Sequence, residues 1–266
     1  MAPWRKQLAA LDAGGRWFEP WRDAGSRVAL SLAAGAPLHD ALNLQRTGEP
    51  FVARFVPPQE LPAGMAYEQY IFETGRCPTR DNLHDFFNGL VWREMPLAKQ
   101  QLNRVQAAQI AASGVGAERG PVRDAATLFD ENGAVLSAPE PLWQALSARN
   151  WLRLFVELRP LWAQARLLIF GHALLEKLVV PRKNLTAHVW AASAPPGSAA
   201  EVDAWLATQL TAERLAAKPF LPLPVLGVPL WSSENSNFSF YDDPLVFRPA
   251  GRQETNTTKP SATSPT

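Results

Sequence analysis

Proline is the residue type that most restricts how this chain can fold. There are 24 prolines among the 266 residues, whereas a usual share of ~5% would give about half as many. Each proline fixes φ and lacks a backbone N–H donor, so it ends helices and interrupts strands. We therefore expect many short elements that are joined by fixed turns.

The C-terminal part of the chain shows this effect most clearly. Residues 219–250 hold too many prolines for a helix and too many aromatic side chains to stay in solvent, which predicts an extended strap packed over the body. Residues 251–266 are polar and predicted to be disordered. The sequence thus predicts one globular domain over residues 1–250 and a disordered tail over 251–266.

Composition indicates a large core and almost no net charge. Hydrophobic residues make up 47% of the chain, and 26 basic against 25 acidic residues give a net charge of +1. Without a strong overall field, no nucleic-acid partner is expected. The single cysteine, Cys77, excludes an internal disulfide framework and a cysteine-rich zinc or iron–sulfur site within one chain. No signal peptide and no uncharged apolar run of membrane-spanning length is found, so we expect a cytoplasmic protein without membrane association.

Hydrophobic periodicity predicts a mainly α (α+β) fold. This fold is a helical body with a few short strands, one hairpin and the C-terminal strap. Helices are predicted over residues 79–93, 96–113, 141–159 and 161–180, and short strands near 51–56 and 185–192. The hairpin is predicted over 128–136, where Asn132-Gly133 favours a type I′ turn. Asp130 and Glu131 are accordingly interpreted as turn residues.

The stretch CPTRDNLHDFFNGLVW, residues 77–92, carries the first candidate site. Thr79 is the predicted N-cap of a two-faced helix. Its apolar side holds Leu and Phe residues, and its polar side groups Asp81, His84, Asp85 and Asn88 on one arc. Such a stripe can bind a metal, move a proton or face water.

A second polar pair lies in apolar surroundings on the predicted helix 161–180. His172 and Glu176 are spaced i and i+4, so they share one face. Burying them without partners would cost about 1 to 3 kcal/mol each. We therefore predict that they face His84 and Asp85 across a cleft and form one centre, and a purely structural pair is the alternative.

Basic residues near these segments indicate an anion-binding site. Arg80, Arg119 and Arg123 could converge on a carboxylate or phosphate through bidentate guanidinium contacts. Asp124 beside them and Asn88 on the first helix complete the candidate ligand-binding set. The stripe of Lys99, Asn103 and Gln106 on the helix 96–113 is interpreted as solvent-exposed.

Five ordered segments carry a family resemblance. They are residues 77–92, the Lys99 and Asn103 helix, RGPVRDAATLFDENG, FGHALLEKL at 170–178, and the late LPVLGVPLW and FYDDPLVFRP segments taken together. In this combination the chain resembles the bacterial family catalogued as domain of unknown function 3025, which implies membership and no activity. Leu230 departs from the pattern, since glycine is expected before the tryptophan at a tight turn.

The adjacent His84-Asp85 pair also resembles the dyad of the HD phosphohydrolases, which are helical metal enzymes. That resemblance implies a set of ligands running His, His-Asp, Asp along the chain. His39 and Asp124 would then fill the outer positions, although His39 lies in a turn-like context.

Two functions follow from these residues. The first is a hydrolase-like enzyme in which His84, Asp85, His172 and Glu176 form an acid–base centre or bind a divalent metal such as Zn, Mn or Fe. Its substrate would be an anionic or phosphate-bearing small molecule. The second is a non-catalytic binding or assembly protein whose polar network is structural. Neither indicates an oligomeric state.

Removal of residues 253–266 tests the boundary of the domain. We expect the truncated protein to melt at the parent temperature, because the tail has almost no apolar surface to bury. Differential scanning calorimetry makes the comparison. A melting temperature that is lowered by several degrees would show that the tail packs on the domain.

Overall fold

A computed structural model describes residues 3–8, 15–44, 53–114, 120–192 and 198–249. Within these residues helices predominate, so the predicted mainly α, α+β class is confirmed. The predicted tail and Arg119 lie outside the described residues. No helix in the described part is long and apolar enough to cross a membrane.

Most helices are short, as the proline content predicts. They are α1 Pro3–Gln7, α2 Arg22–Ala33, α3 Leu38–Leu44, α4 Tyr67–Thr74, α5 Leu83–Glu94, α6 Pro96–Ser113, α7 Pro121–Asn132, α8 Glu140–Ser147, α9 His172–Lys177, α10 Ala199–Gln209 and α11 Ala212–Ala216. Further short turns of 3₁₀ or π type lie between them. They span Arg16–Trp21, Pro58–Glu60, Arg153–Glu157, Arg159–Gln164, Val225–Gly227, Glu234–Ser236 and Phe238–Asp242.

Two small sheets accompany the helices in the described part. Their strands are β1 Arg54–Val56, β2 Arg76–Pro78, β3 Gly133–Ser137, β4 Arg166–Ile169, β5 Thr186–Ala192 and β6 Leu221–Pro224. β1 and β2 form a parallel pair, and the larger sheet has the order β4-β3-β5-β6. In that sheet β3 and β5 are parallel, whereas the two outer pairs are antiparallel.

Helix α5 is the central element of the core. Its Phe86, Phe87 and Leu90 side chains are fully buried, and Phe18 stacks on Phe87 with ring centroids 5.7 Å apart. The predicted apolar side of this helix is therefore the buried side. The opposite side turns toward α4, α7 and α9, where its polar stripe meets other polar groups.

The start of α5 differs from the prediction. Asn82, rather than Thr79, is the N-cap, and its side chain accepts a hydrogen bond from the Asp85 N–H. Thr79 directly follows β2, and its N–H donates to the Val56 carbonyl. The pairing of β2 with β1 thus delays the helix by three residues relative to the local capping signal at Thr79.

The predicted hairpin over 128–136 is wrong. Helix α7 runs through Leu128 to Asn132, and β3 begins at Gly133. The helix continues because Phe129 and the alanines before it face the core, and this burial outweighs the local turn preference of Asn132-Gly133. Asp130 and Glu131 are consequently helical residues rather than turn residues.

The single helix predicted over 161–180 is also wrong. This segment forms a 3₁₀ turn, the strand β4 and the short helix α9, in that order. Leu168 and Ile169 pair with β3 in the sheet, which removes them from the helix. The i, i+4 relation of His172 to Glu176 survives because both lie within α9.

A close approach between two chain segments fixes where α9 begins. The Gly171 N–H donates to the Gly133 carbonyl over 2.8 Å. A Cβ atom on Gly171 would lie 2.5 Å from the Glu131 carbonyl oxygen, a distance that no side chain tolerates. Glycine at this position therefore lets the start of α9 rest against the end of α7.

Helix α6 is held at its start by a buried carboxylate from α10. Asp203 accepts from the N–H groups of Leu97 and Ala98 over 3.0 and 2.7 Å. Both donors belong to the first turn, where they have no acceptor within their own helix. This cap fixes the helix that carries Lys99.

The predicted strap is present and packs over the body. Asn235 is buried and donates to the carbonyls of Leu226 and Val228. Arg159 donates to the Asn235 side chain over 3.0 Å, and Tyr241 stacks on Phe155 with centroids 5.3 Å apart. β6 adds the start of the strap to the sheet.

Leu230 occupies a tight turn in the strap. The Trp231 N–H donates to the Val228 carbonyl over 3.1 Å, and Leu230 has a φ of 70°. This left-handed backbone is strained for leucine and unstrained for glycine. The turn that the family pattern assigns to glycine is therefore kept, at an energetic cost.

Replacing Leu230 by glycine should release this strain. Because the leucine side chain is 68% exposed, the substitution removes little packing, and we expect stabilisation by about 1 kcal/mol. Urea unfolding of the parent and of Leu230→Gly measures the difference. Leu245→Gly is the matched control, since Leu245 is 75% exposed without a positive φ, and it should not be stabilised.

Candidate functional site

Four polar side chains meet where α5, α7 and α9 approach one another. His84 comes from α5, Asp130 from α7, and His172 and Glu176 from α9. The imidazole rings of His84 and His172 lie 4.6 Å apart between centroids. The structure thus brings His84, His172 and Glu176 into one cluster.

The partners of His172 determine which of its nitrogens carries a proton. Its Nδ1 lies 2.7 Å from the backbone carbonyl oxygen of Asp130. A carbonyl oxygen only accepts, so Nδ1 is the protonated nitrogen and Nε2 has a free lone pair. Burial lowers the pKa of His172 to about 4, and the ring is therefore neutral at pH ~7.

His84 lies between this lone pair and a carboxylate. Its Nε2 is 3.1 Å from His172 Nε2, and its Nδ1 is 2.9 Å from Glu176 Oε2. Because His172 Nε2 accepts, His84 Nε2 must donate, and one further proton lies between His84 Nδ1 and Glu176. Both side chains are about a third exposed, 36% and 35%.

Asp130 and Lys99 form a buried ion pair behind the histidines. Lys99 Nζ lies 2.6 Å from Asp130 Oδ1 and 2.9 Å from Asn88 Oδ1, and its side chain is 4% exposed. Burial alone would raise the pKa of Asp130, but Lys99 and then His172 outweigh it, so that this pKa is lowered. Asp130 is therefore a fixed negative charge next to His172.

The interpretation of Lys99, Asn103 and Gln106 as a solvent-exposed stripe is wrong. All three are buried, because α4 and α7 cover that face of α6. Asn103 donates to the Glu68 carbonyl over 2.7 Å, and Lys99 bonds to Asn88 and Asp130. The stripe supplies the buried partners that the polar face of α5 requires.

Asn88 also joins the network to Tyr67 and Cys77. Its Nδ2 lies 3.2 Å from the Tyr67 hydroxyl oxygen, which is 3.1 Å from Cys77 Sγ. Burial raises the pKa of Cys77 to about 11 and raises the pKa of Tyr67 well above its usual value. The thiol is therefore protonated at pH ~7 and poorly suited to nucleophilic attack.

Asp85 pairs with Arg80 rather than with the histidines. Its carboxylate accepts from the Arg80 N–H, Nε and Nη2 over 2.7, 3.1 and 2.8 Å. The guanidinium is largely exposed and the carboxylate is buried. Arg80 and Asp85 thus form an ion pair at the N-terminal end of α5.

A cavity of about 530 Å³ opens beside these groups. Four carboxylates and one guanidinium line it, together with both histidines. Its wall comprises Pro58, Leu61, Tyr67, Glu68, Pro78, Arg80, His84, Asp85, Asn88, Gln106, Thr127, Asp130, Glu131 and His172. Glu176 lies instead in the wall of a neighbouring cavity of about 680 Å³. The contact between His84 and Glu176 therefore links two cavities.

Three predicted residues do not take part in this site. Arg123 is buried in α7 and Asp124 is exposed, and neither is in the wall of the 530 Å³ cavity. His39 lies beside Asp40 in α3 and is not in that wall either. The ligand set that the HD phosphohydrolase resemblance implies, with His39 and Asp124 as its outer members, is thus not assembled around His84. Arg119 lies outside the described residues.

The two histidines have some features of metal ligands. Their Nε2 atoms converge while each Nδ1 faces an oxygen atom, and metal-bound histidines usually make such a hydrogen bond through the nitrogen that does not bind the metal. Within the described ranges, however, no group of three or more His, Cys, Asp or Glu residues is placed to hold a metal ion. Of the other predicted ligands, Asp85 faces Arg80 and Glu176 faces His84 Nδ1.

Sequence reasoning missed Lys99 and Asp130 as members of the cluster. One signal was available: a lysine, an asparagine and a glutamine at i, i+4 and i+7 form a stripe that matches the polar arc of the preceding helix. Asp130 could be identified only by treating the segment 121–132 as a helix, which places its carboxylate one turn from Thr127.

The comparisons with known proteins identify a family. The model of the family described as Protein of unknown function (DUF3025) matches residues 53–251, about three quarters of the chain. The chain belongs to this family, as the resemblance in its sequence indicates. Neither the search of curated proteins nor the search of solved structures gives a match.

Folding stability should depend on pH through His172. The pKa of His172 is about 4 in the folded chain and ~6.5 when unfolded. Between these values only the unfolded chain binds the proton, so stability is present above pH ~6.5 and is lost as pH falls toward 4. From pH ~7 to ~5 we expect a loss of about 2 kcal/mol from this residue.

Urea unfolding of the parent and of His172→Gln at both pH values measures this loss. The glutamine variant should lose about 2 kcal/mol less. His188→Gln is a comparison variant, because burial also lowers the pKa of His188, and it too should lose less stability than the parent. Equal pH dependence in the parent and in His172→Gln would contradict a buried neutral imidazole.

Proposed function

We propose that this member of the family is an acid–base enzyme and that His84 exchanges a proton with the substrate in the 530 Å³ cavity. The observation that supports the proposal is the position of the ring: His84 is partly exposed in the cavity wall and is held between Glu176 and His172. A carboxylate that orients Nδ1 leaves Nε2 as the atom that transfers protons, as in other carboxylate–histidine pairs.

Two protonation states of His84 supply an acid and a base. As an imidazolium, the ring donates from Nε2 to His172 Nε2, and Glu176 stabilises the positive charge. After Nε2 gives its proton to a substrate, Nδ1–H still bonds to Glu176, and both facing Nε2 atoms have lone pairs. A water molecule or a substrate hydroxyl is then the natural donor to His84 Nε2, which activates that oxygen for attack.

Glu176 gives the centre a second opening to solvent. Its carboxylate is 35% exposed and lies in the wall of the neighbouring cavity. Protons can therefore reach His84 from that side while a substrate fills the 530 Å³ cavity. Replacing Glu176 by glutamine removes the negative charge that faces His84 Nδ1.

His172 acts as a positioning residue with a fixed tautomer. The Asp130 carbonyl holds its Nδ1–H, and the Asp130–Lys99 ion pair holds Asp130. The ring stays neutral over the pH range in which His84 would work, so it receives a hydrogen bond without taking the proton. The role of each group in proton transfer thus follows from its environment.

The charges of the wall bear on the substrate. The sequence predicts an anionic or phosphate-bearing substrate, and Arg80 is the wall residue that would bind its negative charge. That guanidinium is already paired with Asp85, and Glu68, Asp130 and Glu131 add negative charge to the wall. These charges favour a substrate that is neutral or cationic near His84.

A divalent metal is the alternative occupant of the space between the imidazoles. His84 and His172 would bind it through Nε2, with Glu176 and the Asp130 carbonyl holding Nδ1, and it would supply Lewis-acid activation of water. Elemental analysis of purified protein for Zn, Mn and Fe tests this form. One equivalent of metal in the parent protein that is absent from His172→Ala would favour the metal-bound form over the metal-free form.

A non-catalytic role is the second candidate function. It is supported by the number of hydrogen bonds within the cluster: Lys99, Asp130 and Asn88 satisfy one another in the interior, as a structural network requires. In a non-catalytic protein, replacing His84 would change no activity, whereas replacing Lys99 would lower stability.

Assays with chromogenic esters, amides, glycosides and phosphates test the enzymatic proposal. We expect turnover of at least one class, and a loss of about 100-fold or more in kcat in His84→Asn. His39→Asn is the matched control and should keep parent activity, because His39 contacts Asp40 outside the cavity. Glu176→Gln should shift the pH profile of the remaining activity.

Two results would contradict the enzymatic proposal. Parent-level turnover in a folded His84→Asn protein would remove His84 from the reaction. No turnover in any class, combined with parent stability of His84→Asn and strong destabilisation of Lys99→Met, would leave the structural network as the account of this cluster.

A further inference from the structure

A further cavity lies elsewhere in the molecule, on one face of the four-stranded sheet. Its volume is about 820 Å³, within the range of roughly 300–1,000 Å³ that is typical of small-molecule sites. Cross-strand partners on β3 and β4 form its floor, because Val135 pairs with Leu168 and Ser137 pairs with Arg166. None of these residues belongs to the histidine cluster.

One end of the floor is polar and positively charged. Ser137 is 6% exposed, and within the described ranges its hydroxyl has no hydrogen-bond partner although it faces the cavity. Arg166 is its direct neighbour on β4, and the described wall residues also include Arg16, Arg159 and the carboxylate of Glu19. A hydroxyl that faces a cavity without a hydrogen-bond partner among the described residues, beside guanidinium groups, is suited to an anionic oxygen.

The remainder of the cavity is apolar. Trp162, Val202, Val228 and Trp231 line it together with Val135 and Leu168. Two of these side chains are tryptophans, whose flat rings cover a hydrocarbon surface well. The cavity therefore combines a polar pair, Ser137 and Arg166, with a large hydrocarbon surface.

Leu230 lies at this cavity in the strained turn of the strap. Its side chain is 68% exposed. Its backbone is strained, because a φ of 70° suits glycine and not leucine. Local strain of this kind persists mainly where the residue has a role in binding or catalysis. An apolar side chain at the wall of an apolar cavity is suited to cover a bound hydrocarbon chain.

We infer that this cavity binds an amphipathic carboxylic acid, such as a fatty acid, with its carboxylate at Ser137 and Arg166 and its hydrocarbon part against Trp162 and Trp231. The inference does not depend on the acid–base centre. The start of α10 also borders the cavity through Ser198 and Ala199. Glu201 already caps that helix end, so Ser137 and the guanidinium groups supply the recognition.

Titration of the full chain with dodecanoate tests the inference through tryptophan fluorescence and isothermal titration calorimetry. We expect saturable binding of one equivalent, with a change in emission because two tryptophans line the cavity. Dodecanol, which has the same chain and no charge, should bind at least about tenfold more weakly. Dodecyltrimethylammonium, with a cationic head, should not compete.

Substitutions then locate the site. Ser137→Ala and Arg166→Gln should each weaken dodecanoate binding about tenfold and leave dodecanol binding unchanged. Arg104→Gln is the matched control, since Arg104 is exposed on α6 away from this cavity. Leu230→Gly should weaken both ligands, because it removes hydrocarbon contact rather than charge.

The inference is overturned if dodecanoate does not bind, or if dodecanol binds as tightly as dodecanoate to the parent protein. The comparison of the two ligands uses only the parent, so it stands even if a variant fails to fold. Parent affinity for dodecanoate in folded Ser137→Ala and Arg166→Gln would likewise contradict the proposed site.

Discussion

The hydrogen bond from His172 Nδ1–H to the Asp130 carbonyl is the contact on which the arrangement of the histidine cluster depends. It fixes the tautomer of His172, and through the bare Nε2 it orients His84 toward Glu176. The bond is possible because Gly171 allows the start of α9 to rest against the end of α7, where any Cβ atom would collide with backbone. One glycine thus brings the acidic residue and both imidazoles into a single chain of hydrogen bonds.

The Lys99–Asp130 pair supports this contact from the interior. Removing an ammonium and a carboxylate from water is costly, and the cost is offset only when the remaining donors and acceptors are satisfied. Asn88 accepts from Lys99 and donates to Tyr67, which ties the ion pair to α5 and α4. Because every partner comes from a different element, the network specifies how α4, α5, α6, α7 and α9 pack together.

The sequence allowed the main features of the fold to be predicted, and the errors have common causes. Proline positions and apolar periodicity correctly indicated short helices, the β5 strand and the packed strap. The hairpin at Asn132-Gly133 and the helix over 161–180 were wrong because sheet pairing and core burial outweighed local preferences. His84, His172 and Glu176 were grouped correctly since each needs a polar partner, whereas Lys99 was assigned to solvent because a polar stripe alone does not show what covers it. Local patterns cannot indicate contacts between residues that are distant along the chain.

The protonation states of the two histidines give the most direct test of this account. Two-dimensional ¹H–¹⁵N spectra of the imidazole rings, assigned with His84→Gln and His172→Gln, report which nitrogens carry protons. We predict that His172 keeps Nδ1–H and a bare Nε2 from about pH 8 to about pH 5. Protonation of His172 at Nε2, or an imidazolium at His172 near neutral pH, would contradict the central hydrogen bond and the roles derived from it.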